Sequence, residues 1–179
     1  MLIAKQKRKE NIAEYILYLY QIEDLIRAFQ LDMNLIENQL IEKYDVDENT
    51  SIEITDWYSN LVIMMDKEGK LEHGHLQFLI NLINDVDQVH LKIMETEVDK
   101  MYVNTFQSVA GLITELKQKN KEAKNDVDLA VAAIYGFLLL KIQQKSISAE
   151  TTDAIKRISN WLSYLSKLYK QFEEGDLEI

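Results

Sequence analysis

The residues of this chain that could do chemistry lie on an otherwise apolar segment, Ile12–Ile22, where nine of eleven side chains are apolar or aromatic. Glu14 and Gln21 interrupt it, and because they are two helical turns apart they share one helix face, with Asp24 close to it. A carboxylate held among apolar groups acquires a raised pKa, which is how general acids and bases arise. The alternative is a polar network that only joins helices. The candidate polar pocket, between predicted helices 1 and 4, comprises Glu14, Gln21, Asp24, Arg27, His75, Gln77 and His90.

The two histidines of that pocket suggest a metal site, because Glu72-x-x-His75 and Asp87-x-x-His90 have the carboxylate–histidine spacing of di-metal helical bundles. On one helix, however, His75 and His90 would lie about 22 Å apart and could not share an ion. No further carboxylate–histidine pair completes such a site. His90 falls on the apolar stripe of its helix, which favours a hydrogen-bonded core histidine. We therefore predict no metal and no cofactor.

The acidic segment 45–56 resembles an EF-hand calcium loop at its first three ligand positions. Thr50 stands where such a loop needs glycine, and Asp56 replaces the long bidentate glutamate at the last position. The alternative is an acidic turn in which Thr50 caps the next helix and Glu53 completes a capping box. The substitutions favour the capped turn.

Composition excludes several classes of function. The absence of cysteine removes thiol nucleophiles, thiolate metal sites and disulfides, and nucleophile motifs, phosphate-binding loops and zinc-binding spacings are also absent. The formal net charge of −10 argues against binding to nucleic acid. Ile12–Ile22 is too short to cross a bilayer, and Glu14 interrupts it, so it is neither a membrane anchor nor a secretory signal. We expect a cytoplasmic protein without nucleic-acid or membrane partners.

Helical periodicity along a chain without proline predicts an all-α bundle of six to seven helices in a single domain, residues 1–179. A basic segment (1–8) precedes the first helix, and residues 173–179 form a tail. Glu23 and Arg27, four residues apart, can form an intrahelical ion pair. Predicted helices 1 and 6 are apolar on all sides, so they should be the most buried. The predicted helices are 1 (about 9–29), 2 (from 32), 3 (50 or 51 to 69), 4 (about 74–95), 5 (from 96–99), 6 (from 125 or 126) and 7 (148–175).

Six segments together carry a resemblance to a known family: KENIAEYILYLYQIEDLIR (9–27), WYSNL (57–61), GHLQ (74–77), YGFLLLK (135–141), SAET (148–151) and GDLE (175–178). They resemble an uncharacterised family of all-helical Bacteroidetes proteins of about this length, classed as a domain of unknown function. The resemblance covers almost the whole chain and brings no established activity, cofactor or partner. The calcium-like segment is not part of the shared pattern. The resemblance implies that the pattern includes Glu10, Glu14, Gln21, Glu23, Asp24, Arg27, His75, Gln77 and His90.

Two hypotheses for the function follow. The first is a non-enzymatic, cytoplasmic bundle that acts through contact with a protein partner or by self-association as a homodimer. It depends on the two helices that are apolar all round and on the missing catalytic motifs. The second is a small-molecule-binding protein or enzyme, whose ligand occupies the polar pocket between predicted helices 1 and 4.

Overall fold

The chain folds into helices along most of its length. A computed structural model describes residues 2–179, and within that range it contains nine α-helices, one 3₁₀ turn and no strand. The prediction of an all-α fold is confirmed. The elements are α1 (Leu2–Glu10), α2 (Ile12–Ala28), α3 (Met33–Gln39), a 3₁₀ turn (Ile41–Lys43), α4 (Glu48–Lys67), α5 (Gln77–Thr96), α6 (Lys100–Gln107), α7 (Ala110–Lys119), α8 (Asp126–Ile142) and α9 (Ala149–Glu174).

The predicted number of six to seven helices is wrong, for two reasons. Residues 2–8 of the predicted basic segment lie in a separate helix, α1, and Asn11 then caps the start of α2. Predicted helix 5 is divided into α6 and α7 at Ser108, whose carbonyl accepts a hydrogen bond from Arg157 of α9. At the other end of the chain, α9 continues into the predicted tail 173–179 and ends at its second residue.

Three helix starts agree with the sequence, each capped by a short polar side chain in the first turn. The side chains of Asp32, Asn125 and Ser148 accept backbone N–H groups at the starts of α3, α8 and α9, as predicted. The predicted start of α4 lies about three residues too late. Asp47 is its cap, and its carboxylate accepts the backbone N–H of Thr50 at 3.0 Å and the Thr50 hydroxyl at 2.6 Å. Thr50 is thus the capped residue, and the predicted capping box is wrong.

The core lies between α2, α5 and α9. Apolar side chains recur there at helical spacing, and burying one aliphatic side chain contributes about 1.5–3 kcal/mol. In α2 these side chains include Ile16, Leu19 and Ile26, and in α9 they include Leu162 and Leu165, each at most 2% exposed. The amphipathic helix α9 packs against both α2 and α5 and joins their apolar faces in one core.

The expectation that predicted helices 1 and 6 are the most buried is not met. Predicted helix 6 is α8, and only its first half packs fully: Val127, Leu129, Ala130 and Val131 are at most 2% exposed, whereas Ile142 at its end is 64% exposed. A helix that is apolar all round needs neighbours on every side, and the second half of α8 is only partly covered. No helix in the described part of the chain has the length and apolar character that a membrane crossing needs.

Candidate functional site

The seven residues of the predicted pocket lie in four separate places. Asp24, Arg27 and His75 meet in a polar network on the inner side of α2. His90 lies in the core among aromatic rings. Gln77 is exposed at the start of α5, where its side chain donates a hydrogen bond to Asn81 at 2.9 Å. The other two residues, Glu14 and Gln21, line a groove on the outer side of α2.

The centre of the polar network is Glu23, a carboxylate that is only 1% exposed. One of its oxygens accepts the backbone N–H of Leu76 at 2.8 Å, and the other lies 2.6 Å from Nδ1 of His75. The His75 ring in turn stacks on Tyr20, with ring centroids 3.4 Å apart. Glu23 thereby fixes the chain just before the first turn of α5 against α2.

Arg27 holds the same connection from one helical turn further along α2. Its guanidinium donates hydrogen bonds to the carbonyl oxygens of Lys70, at 3.1 Å, and Gly74. The ion pair of Arg27 is with Asp24, at 2.6 Å, so the predicted pairing with Glu23 is wrong. We call Tyr20, Glu23, Asp24, Arg27, His75 and Tyr135 the α2 network.

Tyr135 extends the α2 network to α8. Its hydroxyl donates a hydrogen bond to Asp24 at 2.5 Å and also lies 3.3 Å from the carbonyl oxygen of Tyr20. Burial, together with the bond to the Asp24 carboxylate, raises the pKa of Tyr135, so this hydroxyl keeps its proton. The network therefore joins α2, α8 and the α4–α5 connection through hydrogen bonds and one ion pair.

His90 is a hydrogen-bonded core histidine, as predicted. It is 2% exposed, and its Nδ1 lies 2.6 Å from the hydroxyl oxygen of Tyr102. The indole N–H of Trp161 can only donate, and it does so to that same oxygen at 3.0 Å, which leaves the Tyr102 hydrogen for Nδ1 of His90. Burial lowers the pKa of His90 to about 4. The imidazole is neutral at physiological pH. His90 has a structural role, because it accepts the hydrogen bond of the Tyr102 hydroxyl.

Asp87, the carboxylate of the predicted Asp87-x-x-His90 pair, belongs to no cluster of metal ligands among the described residues. It is 5% exposed, and its Oδ1 is buried without a hydrogen-bond partner among the described residues. Burial raises the pKa of the Asp87 carboxyl. Within residues 2–179, no group of three or more His, Asp or Glu side chains is arranged to hold a metal ion.

The groove that contains Glu14 and Gln21 lies between α2, α8 and α9, with α1 at one end, and has a volume of about 640 Å³. We call it the α2/α8/α9 groove. Its apolar side chains come from all three helices, and three lysines surround them. It is lined by Lys7, Glu14, Leu17, Tyr18, Gln21, Ile134, Phe137, Leu138, Lys141, Thr152, Ile155, Lys156, Ser159 and Asn160.

The lysines of the groove differ in how they are paired. Lys7 forms an ion pair with Glu14 at 2.9 Å, and that carboxylate is 57% exposed. Lys141 lies over the ring of Phe137, 4.6 Å from its centroid. Among the ion pairs of the described residues, none includes Lys141 or Lys156. The groove thus presents two cations without a carboxylate partner beside an apolar floor.

The predicted pocket omits the most buried carboxylate, Glu23. The sequence contains only a partial signal for it, because periodicity does not decide which side of α2 faces inward. Glu23 continues the spacing of Ile16, Leu19 and Tyr20 on the buried side of α2, whereas its distance from Arg27 along the chain predicts only an ion pair. A charged residue at a core position needs a buried partner. That partner, His75, lies 52 positions further along the chain, and local spacing cannot identify it.

Comparison with known proteins agrees with the sequence resemblance. The profile of a domain of unknown function, DUF4924, matches residues 1–176. No curated protein and no solved structure matched the chain. Because the match extends over nearly the whole sequence, the chain belongs to the DUF4924 family, whose function is unknown.

Proposed function

We propose that this protein is a non-enzymatic, cytoplasmic bacterial protein that acts through contact with another protein, and that the α2/α8/α9 groove receives a helix of that partner. The observation that supports this most directly is the position of α8. Its apolar run continues past the core to the surface, where Leu140 is 40% and Ile142 is 64% exposed. An extended apolar surface on a soluble protein marks an interaction site.

The shape of the groove suits a helical ligand. It follows α2 from Glu14 to Gln21 and α8 from Ile134 to Lys141, about 10 Å along each helix or two turns of a bound helix. Amphipathic helices bind such grooves by inserting apolar side chains at spacings of three and four residues. Leu140 and Ile142 lie on either side of the groove residue Lys141 along α8.

The charge of the groove selects an acidic helix. Three lysines and one glutamate line it, although the chain as a whole has a formal net charge of −10. Lys141 and Lys156 are exposed and outside every ion pair of the described residues, so both are available to carboxylates of a ligand. Complementary charge around an apolar centre supplies specificity and speeds association.

A second candidate function, the binding of a small molecule, is favoured by the groove volume. Small-molecule sites typically enclose about 300–1,000 Å³, and the groove measures about 640 Å³. Its ligand would be an anionic amphiphile, because the lining is apolar with lysines around it. The predicted polar pocket was expected between predicted helices 1 and 4. In this candidate function the ligand binds instead in the α2/α8/α9 groove, where Glu14 and Gln21 lie.

Peptide titration followed by NMR tests the proposed function. The probe is a designed amphipathic peptide of leucine and glutamate, about four helical turns long. The control peptide keeps the leucines and has lysine in place of every glutamate. We expect the acidic peptide to shift amide signals of groove residues and to bind more weakly as salt is added. The double variant Lys141→Glu/Lys156→Glu should weaken binding at least tenfold, whereas the matched variant Lys100→Glu/Lys145→Glu, outside the groove, should not.

Equal binding of both peptides, or shifts confined to another surface, would overturn the helix proposal. Dodecanoate is the probe for the second candidate. If dodecanoate shifts the groove signals and the acidic peptide does not, the groove is a small-molecule site and the protein-contact function is rejected.

A further inference from the structure

We infer that the helix received by the α2/α8/α9 groove is α4 of a second copy of this chain. This inference rests on the proposed function and identifies its partner. It draws on a second unpartnered surface, the outer face of α4, where large apolar side chains and carboxylates lie together. Ile52 is 54% and Ile63 is 47% exposed, and Glu53 and Asp56 are exposed beside them.

The spacing on α4 places these groups in one stripe. Ile52 and Ile63 are eleven residues apart, which is three helical turns and about 16 Å, so they project from the same side. Asp56 follows Ile52 by one turn and lies between the two isoleucines on that side. Ile52 and Asp56, one turn apart, fit within the two-turn length of the groove, and Ile63 lies beyond that length.

Charge complementarity between the two surfaces favours this pairing over groove against groove. Two copies of the groove would bring Lys141 and Lys156 against the same lysines, and like charges across an interface repel. The α4 stripe presents Glu53 and Asp56 instead. Among the ion pairs of the described residues none includes either carboxylate, so the match uses charges that the folded chain leaves free.

The α4 stripe can bind without rearrangement of the bundle. The opposite side of α4 is held in the core by Ile54, Tyr58, Leu61 and Met65, each at most 6% exposed. The contact therefore uses surfaces that are already formed in the folded chain, and the free and bound copies keep the same helices. Such an association is reversible and depends on both protein concentration and salt.

Sedimentation equilibrium combined with exchanged charges tests this inference. We expect reversible self-association of the full chain that weakens at least tenfold in Lys141→Glu/Lys156→Glu and, separately, in Glu53→Lys/Asp56→Lys. Mixing these two reversed chains should restore association, since the acidic groove of one then meets the basic α4 of the other. The double variant Lys100→Glu/Lys145→Glu is the matched control and should associate like the unchanged chain.

Cross-linking identifies the surfaces that meet, because the chain has no cysteine of its own. Asn160→Cys marks the groove, Asn60→Cys marks the exposed side of α4 and Asn104→Cys on α6 is the control. A short bismaleimide should join a chain carrying Asn160→Cys to one carrying Asn60→Cys. It should leave the Asn160→Cys and Asn104→Cys mixture unjoined.

A chain that stays monomeric at several hundred micromolar would overturn the second-copy inference, and so would cross-links only between like surfaces. The peptide titration separates these failures from failure of the proposed function. A monomer whose groove still binds the acidic peptide has lost only the inference that the partner is a second copy. A monomer whose groove does not bind the peptide has lost both.

Discussion

Replacing Glu23 with alanine tests whether the α2 network holds the fold together. The Glu23 carboxylate is 1% exposed and accepts the N–H of Leu76 at 2.8 Å, while its second oxygen contacts His75 at 2.6 Å. Alanine removes both acceptors and leaves a buried backbone N–H without a partner. Glu14, nine residues earlier on the same helix, provides the matched control, because its carboxylate is 57% exposed and pairs only with Lys7.

The size of the effect follows from burial. A hydrogen bond to a charged group contributes about 1.5–3 kcal/mol, and a buried polar group left unpaired costs about 1–3 kcal/mol. The His75 contact adds less, because that ring is 31% exposed and water can replace the lost partner. We expect Glu23→Ala to lower the free energy of unfolding by about 3 kcal/mol, or the Tm by roughly 6–12 °C. Glu14→Ala should cost at most about 1 kcal/mol.

Urea unfolding followed by circular dichroism measures both variants, and amide exchange at Leu76 reports the local contact. A third variant, Glu23→Gln, keeps an oxygen for the Leu76 N–H, so it should recover part of the lost stability and most of the exchange protection. If Glu23→Ala and Glu14→Ala cost the same, or if exchange at Leu76 is unchanged in Glu23→Ala, the network does not hold the α4–α5 connection.

Three further predictions concern the core and the α4–α5 connection. Tyr102→Phe leaves the indole N–H of Trp161 and the imidazole of His90 without their shared partner, so urea unfolding should show a loss of about 2 kcal/mol. The pKa of His90 is near its ordinary value of 6.5 in the unfolded chain and about 4 in the folded chain. Lowering the pH from 6.5 to 4 should therefore reduce the free energy of unfolding by up to about 3 kcal/mol. His90→Gln should abolish this component of the pH dependence. Arg27→Ala removes the donors to the α4–α5 connection, so amides at 70–76 should exchange at least tenfold faster while those of α9 do not change.

Local physical chemistry explains which helix boundaries the sequence predicts. Asp32, Asn125 and Ser148 cap their helices through bonds to N–H groups two or three residues away, so the signal and its partner lie in the same short segment. The division of predicted helix 5 coincides instead with a contact between residues far apart in the sequence. The carbonyl of Ser108 accepts a bond from Arg157, 49 positions away, and no local pattern contains that contact.

The candidate site shows the same limit on a single helix. Nine residues separate Glu14 from Glu23, which is half a turn beyond two full turns, so the two carboxylates must point to opposite sides of α2. Periodicity could not decide which side faces inward, because the segment that includes Glu14 is apolar all round. The structure buries Glu23 and exposes Glu14. Only the packing of α9 and of the α4–α5 connection against α2, which is tertiary information, makes that choice.

The exposed half of α8 connects this ambiguity to function. Leu138 and Leu139 still pack against the core, but Leu140 and Ile142 are largely exposed. An exposed apolar surface favours aggregation unless something covers it. Its neighbours at the surface are Leu17 and Tyr18, which lie on the same outer part of α2 as Glu14. Apolar residues on every side led to the prediction that α2 and α8 are central. In the folded chain these residues form two separate surfaces. One surface is buried in the core. The other is exposed and available to a partner, and Lys141 and Lys156 beside it favour a partner with negative charge.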